Sequence, residues 1–153
     1  MHPKRRHGFT LIEILIVVVI LGILAAIVVP QFASATGMAV KSALARQLQM
    51  IDDNVAAYRA SNADRFPTDD PATPLGAGGG NSGWGVLVSN NYMKEEPRNP
   101  FTNRSLLVQG DAATARADAT SSANGWYYTV TATRLDVFAA GYDRAADKLS
   151  TEP

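Results

Sequence analysis

Gly8-Phe9-Thr10-Leu11-Ile12-Glu13 opens the run that decides how this chain folds. Ile14-Leu15-Ile16-Val17-Val18-Val19-Ile20-Leu21-Gly22-Ile23-Leu24-Ala25-Ala26-Ile27-Val28-Val29 completes it. Between Phe9 and Val29 almost every side chain is apolar, and Glu13 is the one ionisable group. At a rise of about 1.5 Å per residue, a helix of this length spans about 30 Å, the thickness of a bilayer's hydrocarbon core. A carboxylate inside such a run costs roughly 2.5–3.5 kcal/mol on membrane-insertion scales. A cost of that size asks for a partner.

The residues suggest one. Cutting the chain after Gly8 would free an amine at Phe9, one helical turn from Glu13. Where parallel helices stack with an axial offset, one copy's carboxylate lies level with another copy's amine. Opposite charges together in low dielectric cost far less than either alone. Gly22, Ala25 and Ala26 permit close packing between such helices. A head-to-tail contact that closes no ring generates a helical filament.

These residues resemble the type IV pilin superfamily, the pilins of type IV pili and the pseudopilins of type II secretion. Lys4-Arg5-Arg6-His7-Gly8 is similar to the family's short basic leader. The resemblance implies cleavage after Gly8 by a prepilin peptidase that also methylates the new N-terminus, Phe9. It implies that Glu13 is the assembly glutamate, pairing with a neighbour's terminal amine. It also implies an α+β, pilin-like fold: a long N-terminal helix packed on a small antiparallel β-sheet. The expected organisation is a cleaved leader over residues 1–8, a transmembrane and assembly helix over 9–30, and a periplasmic globular domain over 31–153. The implied partners are further copies of the chain, the peptidase/methyltransferase, an inner-membrane assembly platform and minor pseudopilins.

Bulk composition agrees with a membrane anchor carrying one small domain. The chain has 153 residues, enough for one membrane helix and one compact unit. Of its 14 basic residues, Lys4, Arg5 and Arg6 precede the apolar run, leaving 11 against 14 acidic residues. That placement predicts a cytoplasmic N-terminus and a C-terminal domain across the membrane. So short a basic tract beside an apolar helix reads as topology rather than nucleic-acid binding. There is no cysteine, so no disulfide framework and no zinc–thiolate site can form. Many type IV pilins close a C-terminal loop with a disulfide and major pseudopilins often do not, so the absence leans toward secretion.

Two ordinary readings compete at the N-terminus. A secretory signal peptide would be cut after Ala33-Ser34-Ala35, but its apolar core is usually 7–15 residues and the run here is longer. A plain single-pass anchor leaves Glu13 unexplained. At the end of the run, Pro30 removes a backbone donor and crowds the preceding turn, predicting a kink or local melting over residues 27–30.

From residue 31 to 62 the pattern turns amphipathic. Leu44, Leu48, Ile51, Val55 and Tyr58 recur at helical spacing, with Arg46, Gln49, Asp52, Asp53 and Arg59 between them. The stripe predicts a core-facing second half of one helix, roughly 80 Å long if it runs from Phe9 to Asn62. Phe66-Pro67 marks its end, since the residue before proline avoids helical angles. Residues 68–83, dense in Pro and Gly, read as a loop, and Trp84, Leu87, Val88 and Met93 suggest a short helix after a Ser82 cap, with a strand as the alternative. Strands are expected at residues 105–109, 126–131 and 135–140, with a mobile surface loop over 110–125.

Two further segments resemble the major pseudopilin of type II secretion. Glu96-Pro97-Arg98-Asn99-Pro100-Phe101-Thr102-Asn103 is similar to its Pro-x-Asp-Pro-Trp-Gly-Asn turn, with Asn99, Phe101 and Thr102 in place of aspartate, tryptophan and glycine. Leu135-Asp136-Val137-Phe138-Ala139-Ala140-Gly141-Tyr142-Asp143-Arg144 resembles the segment that leads into its calcium loop. On that resemblance Asp143 and Asp147, with the carbonyl of Ala140, would be metal ligands. The other reading is a solvated turn, because Arg144 stands where glycine would and calcium needs about 6–8 oxygen ligands. No cofactor is otherwise expected.

Both histidines, His2 and His7, fall in the expected leader, so nucleophilic and zinc chemistry lack their usual residues. Asp69-Asp70 pairs two carboxylates, but in a Pro/Gly loop. An enzyme is not expected. The function implied is a filament subunit, foremost the major pseudopilin of type II secretion. The alternatives are the major pilin of a type IV pilus, serving twitching, adhesion or DNA uptake, and a membrane-anchored or secreted binding domain that never polymerises.

Overall fold

The computed structural model of the chain describes residues 9–76, 80–118 and 123–152. Its first element is α1, Leu11–Ser61, a helix of 51 residues. The chain divides into two compact units, residues 1–38 and 39–153, and α1 contributes to both. The helix continues through Pro30. Residues 27–30 thus have helical backbone, and proline removes one N–H there without ending the helix.

Helix α1 ends where the sequence turns polar. Ala63 and Asp64 adopt left-handed backbone angles, φ 53° and 63°, and the Asp64 amide donates back to the Arg59 carbonyl at 2.9 Å. This is the usual way a helix satisfies its last carbonyls. Asn62 Nδ2 adds a bond to the Tyr58 carbonyl at 2.8 Å.

In the second unit, Leu44, Leu48, Ile51, Val55 and Tyr58 are all buried, as their spacing predicts. They share one core with Trp84, Val86, Leu87, Leu107, Trp126, Tyr128 and Val137, among others. After a 3-10 turn at Pro67–Asp69 and another at Asn81–Gly83 comes α2, Gly85–Ser89. The expected helix is thus present, but Ser82 does not cap it. Ser82 lies in the preceding turn at φ 52° and donates its hydroxyl to Glu96 Oε2 at 2.6 Å. Gly83, at φ 88°, needs to be glycine, because a Cβ there would run into the Leu107 carbonyl.

Three strands follow: β1, Leu106–Gln109; β2, Asn124–Val130; and β3, Leu135–Ala139. They form one sheet in the order β1-β2-β3. Strand β2 runs antiparallel to β3, with Trp126 opposite Ala139 and Tyr128 opposite Val137. Strand β1, however, runs parallel to β2. The sheet is therefore mixed rather than wholly antiparallel. The reason lies in residues 110–125, expected as a mobile loop: they contain α3, Ala112–Ala117. Parallel neighbours need a crossover too long for a hairpin turn, and α3 supplies it. Asp111 caps α3, its Oδ1 accepting from the Thr114 amide at 2.8 Å and the Thr114 hydroxyl at 2.7 Å.

Strand β2 is covered on both faces. Trp126 and Tyr128 belong to the main core, whereas Tyr127 packs with Ala115 and Ala140 under α3. A final two-stranded ribbon, β4 at Tyr142–Asp143 and β5 at Lys148–Leu149, closes the fold.

Candidate assembly site

The site begins where α1 begins. Thr10 Oγ1 accepts from the Glu13 amide at 3.3 Å, and Glu13 Oε2 accepts from both the Thr10 amide and the Thr10 hydroxyl at 2.7 Å. This reciprocal cap satisfies two helix-start donors and places the carboxylate at the positive end of the helix. The signal was present in the sequence as Thr10-x-x-Glu13. Thr10 is thus a residue that the apolar pattern alone passes over.

Behind this cap, Leu11–Val29 is long and apolar enough to cross a membrane. Its side chains have no protein cover: Ile14, Val18, Leu21 and Leu24 are each more than half exposed. Phe9, just ahead of the helix, is 81% exposed. An apolar surface of this extent needs lipid or other protein around it. Gly8 and the basic residues before it lie outside the described residues, as does the expected cleavage between Gly8 and Phe9 on its leader side.

The second unit carries a buried polar hub at the segment that resembles the Pro-x-Asp-Pro turn. Among the described residues Asn99 is the one fully buried polar side chain. Its Nδ2 donates to the Gly125 carbonyl at 2.8 Å and the Ala140 carbonyl at 3.0 Å. Its Oδ1 accepts from the amides of Phe101, 2.8 Å, and Thr102, 3.2 Å. Aspartate could match the second pair but not the first, so the departure from the motif has a structural cause. Two indoles fix the same segment: Trp126 Nε1 donates to the Pro97 carbonyl at 2.9 Å, and Trp84 Nε1 to the Ser105 carbonyl at 2.7 Å. The rings themselves meet edge to face, 6.0 Å between centroids.

At the far end of α1, Tyr58 donates to Asp70 Oδ2 at 3.0 Å. Burial pushes the Tyr58 hydroxyl up to about 12, and its bond to Asp70 adds to the rise. Asp70 is held below the usual carboxylate range, chiefly by the Thr73 amide. Asp70 is therefore a turn anchor, tying the loop to the helix, and not half of an acid–base pair.

The two aspartates expected as metal ligands are engaged by groups of the protein itself. Asp143 Oδ1 accepts from the amides of Ala145 and Ala146, 3.0 and 3.2 Å, and Oδ2 faces the Arg116 guanidinium at 3.1 Å. Asp147 accepts from the Tyr142 hydroxyl at 3.0 Å. Arg144, next in line, points to Asp52 on α1 at 2.9 Å. Among the described residues no three carboxylate, histidine or cysteine side chains gather as a metal site.

Comparison with known proteins agrees with the first segment and extends to the second unit. A family model described as a prokaryotic N-terminal methylation motif matches residues 3–29. The chain is 33% identical over 96 residues to the type II secretion system core protein G of Dickeya chrysanthemi, covering 63% of this chain and 55% of that one. With the protein of the same name from Aeromonas hydrophila it shares 31% over 98 residues, 64% and 60% of the two chains. With that of Vibrio cholerae it shares 30% over 112 residues, 72% of this chain and 77% of the relative. The matched region thus spans little more than half the length of the first two of these relatives. No solved structure matches significantly.

Proposed function

This chain belongs to the type II secretion system core protein G family, and from that membership we propose that it is the repeating structural subunit of a type II secretion pseudopilus. The observation that carries the proposal is the Leu11–Val29 helix, apolar and uncovered on every side, with Glu13 at its head. Its work is assembly rather than catalysis.

In this reading the chain enters the inner membrane with its basic N-terminus in the cytoplasm and its second unit in the periplasm. A prepilin peptidase cuts after Gly8 and methylates the amine of Phe9. Glu13 then exchanges the Thr10 cap for the terminal amine of a neighbouring subunit. The small residues Gly22, Ala25 and Ala26 let the helices approach. Pro30, which already lacks one backbone bond, is where α1 loosens when the subunit leaves the bilayer for the filament. The other partners are an inner-membrane assembly platform and minor pseudopilins.

The test is the intact mass and N-terminal sequence of the protein extracted from its native membrane. A chain that starts at methylated Phe9 supports the proposal. A chain that starts at Thr36 means a secreted domain, and an uncut chain means a plain anchor; either would sink it. Pseudopilus is then separated from pilus by deleting the gene: loss of protein export with no loss of surface filaments is expected.

A further inference from the structure

The turn that closes the second unit, residues 140–150, is held by charges from three sides. Arg116, in the last turn of α3, reaches Asp143 on β4 at 3.1 Å, and Asp143 is mostly buried, its side chain 16% exposed. Arg144 reaches out of the turn to Asp52 on α1. Lys148 stands opposite Asp143 in the β4–β5 register. The Gly141 amide bonds to the Ala115 carbonyl at 2.8 Å, beside Arg116, so α3 and the turn are joined by backbone as well as by charge.

Counting Asp52, three carboxylates (Asp52, Asp143 and Asp147) are matched in number by three cations, Arg116, Arg144 and Lys148. A divalent ion would find no excess negative charge here. It would also have to displace a guanidinium from Asp143 Oδ2 and two amides from Oδ1. Calcium sites work in the opposite way, gathering several uncompensated oxygens about one cation.

We propose that the protein closes this turn with a cation of its own, the Arg116 guanidinium, so that the second unit reaches its full stability without calcium. Helix α3, which also provides the β1-to-β2 crossover, is what carries that cation into place. The inference is independent of whether the chain polymerises.

The test uses the full chain in detergent micelles, with thermal unfolding followed through the fluorescence of the buried Trp84 and Trp126. Wild-type protein is expected to melt at the same temperature in millimolar calcium and in EGTA. Arg116→Gln is expected to melt about 2–4 °C lower in both, the shift that loss of one partly buried ion pair produces in a domain of this size. Arg116→Lys, which keeps the charge, should melt between the two. Arg134→Gln, which breaks the exposed Arg134–Asp136 pair, should not move the midpoint. A clear rise of the wild-type midpoint on adding calcium would overturn the proposal, and so would an Arg116→Gln protein that melts with wild type. If Arg116→Gln fails to accumulate, the wild-type calcium comparison and the Arg116→Lys midpoint still decide it.

Discussion

Between Leu11 and Val29, helix α1 carries apolar side chains around its whole circumference, and none of them is buried. Between Leu44 and Tyr58 the same helix carries five apolar residues along one line, and all five are buried. The first stretch has more hydrophobic side chains and no fold around them; the second has fewer and organises a domain. What separates them is angular distribution. A stripe names one neighbour, the protein's own core, while a fully apolar cylinder names an apolar medium or a ring of like helices.

Substitutions can break this contrast in a graded way. The largest effect is expected from Glu13→Ala. Filament formation should vanish, because the carboxylate that a neighbour's amine would meet is gone, while the second unit unfolds at its normal temperature. Electron microscopy of the assembled polymer and a melting curve on the same preparation check the two halves of that statement. Polymer at wild-type yield would end the account of Glu13 given above.

Leu48→Ala and Leu15→Ala form the next comparison, one chemical change on two stretches of the same helix. Emptying the fully buried Leu48 position should cost about 2–5 kcal/mol of unfolding free energy. Leu15, 54% exposed, should cost the second unit nothing measurable. Urea titration reads both, and equal losses would mean that the apolar cylinder is part of the core after all.

Asn99→Asp restores the residue of the resembled motif and is expected to destabilise. Two buried carbonyls, of Gly125 and Ala140, lose their donors and a carboxylate is placed among them, for a cost of about 2–3 kcal/mol. An unchanged urea midpoint would show that the turn can rearrange around aspartate.

The smallest effect concerns acid. Asp70 has a carboxyl held lower in the folded protein than in the unfolded chain. Its contribution is therefore fully present above the ordinary aspartate range and is lost as pH falls through its depressed value. Melting temperature measured from neutral pH down to about pH 3 should fall more steeply for wild type than for Asp70→Asn, which keeps the amide contacts of Oδ1 but does not titrate. Parallel acid limbs would assign the loss to other carboxylates.

How much of this was legible beforehand follows the same division. The apolar run, the Leu44-to-Tyr58 stripe, the helix end before Phe66-Pro67 and the strands around Trp126 and Val137 are periodic or compositional signals, and the fold carries all of them. The sheet's mixed direction was not legible, because strand pairing depends on what the connection does. Residues 110–125 look like a loop by their Ser, Thr and Asp content, yet Asp111 followed by alanines is a cap before a good helix former. Reading that cap would have given α3, and with α3 the parallel crossover. Asn99 looked like a lapse in a motif, since a sequence shows the substitution and not the two carbonyls that require it. Ser82 looked like a cap only because nothing in the sequence reveals a left-handed backbone. The Arg116 partner of Asp143 was not legible either, because it lies far along the chain on another element.

Asn99 has one more consequence. Its amide nitrogen holds one carbonyl within β2 and another just past the end of β3, while Trp126 in β2 holds the Pro97 carbonyl. Sliding β2 past β3 by one residue would therefore part the two carbonyls that share the Asn99 donor group, so that both bonds could not be kept, and would turn Trp126 to the opposite face. The side chain acts as an alignment pin, rejecting near-miss pairings. In the filament proposed above that arrangement would matter at every copy, because an error tolerated in one would become a fault at each contact it makes.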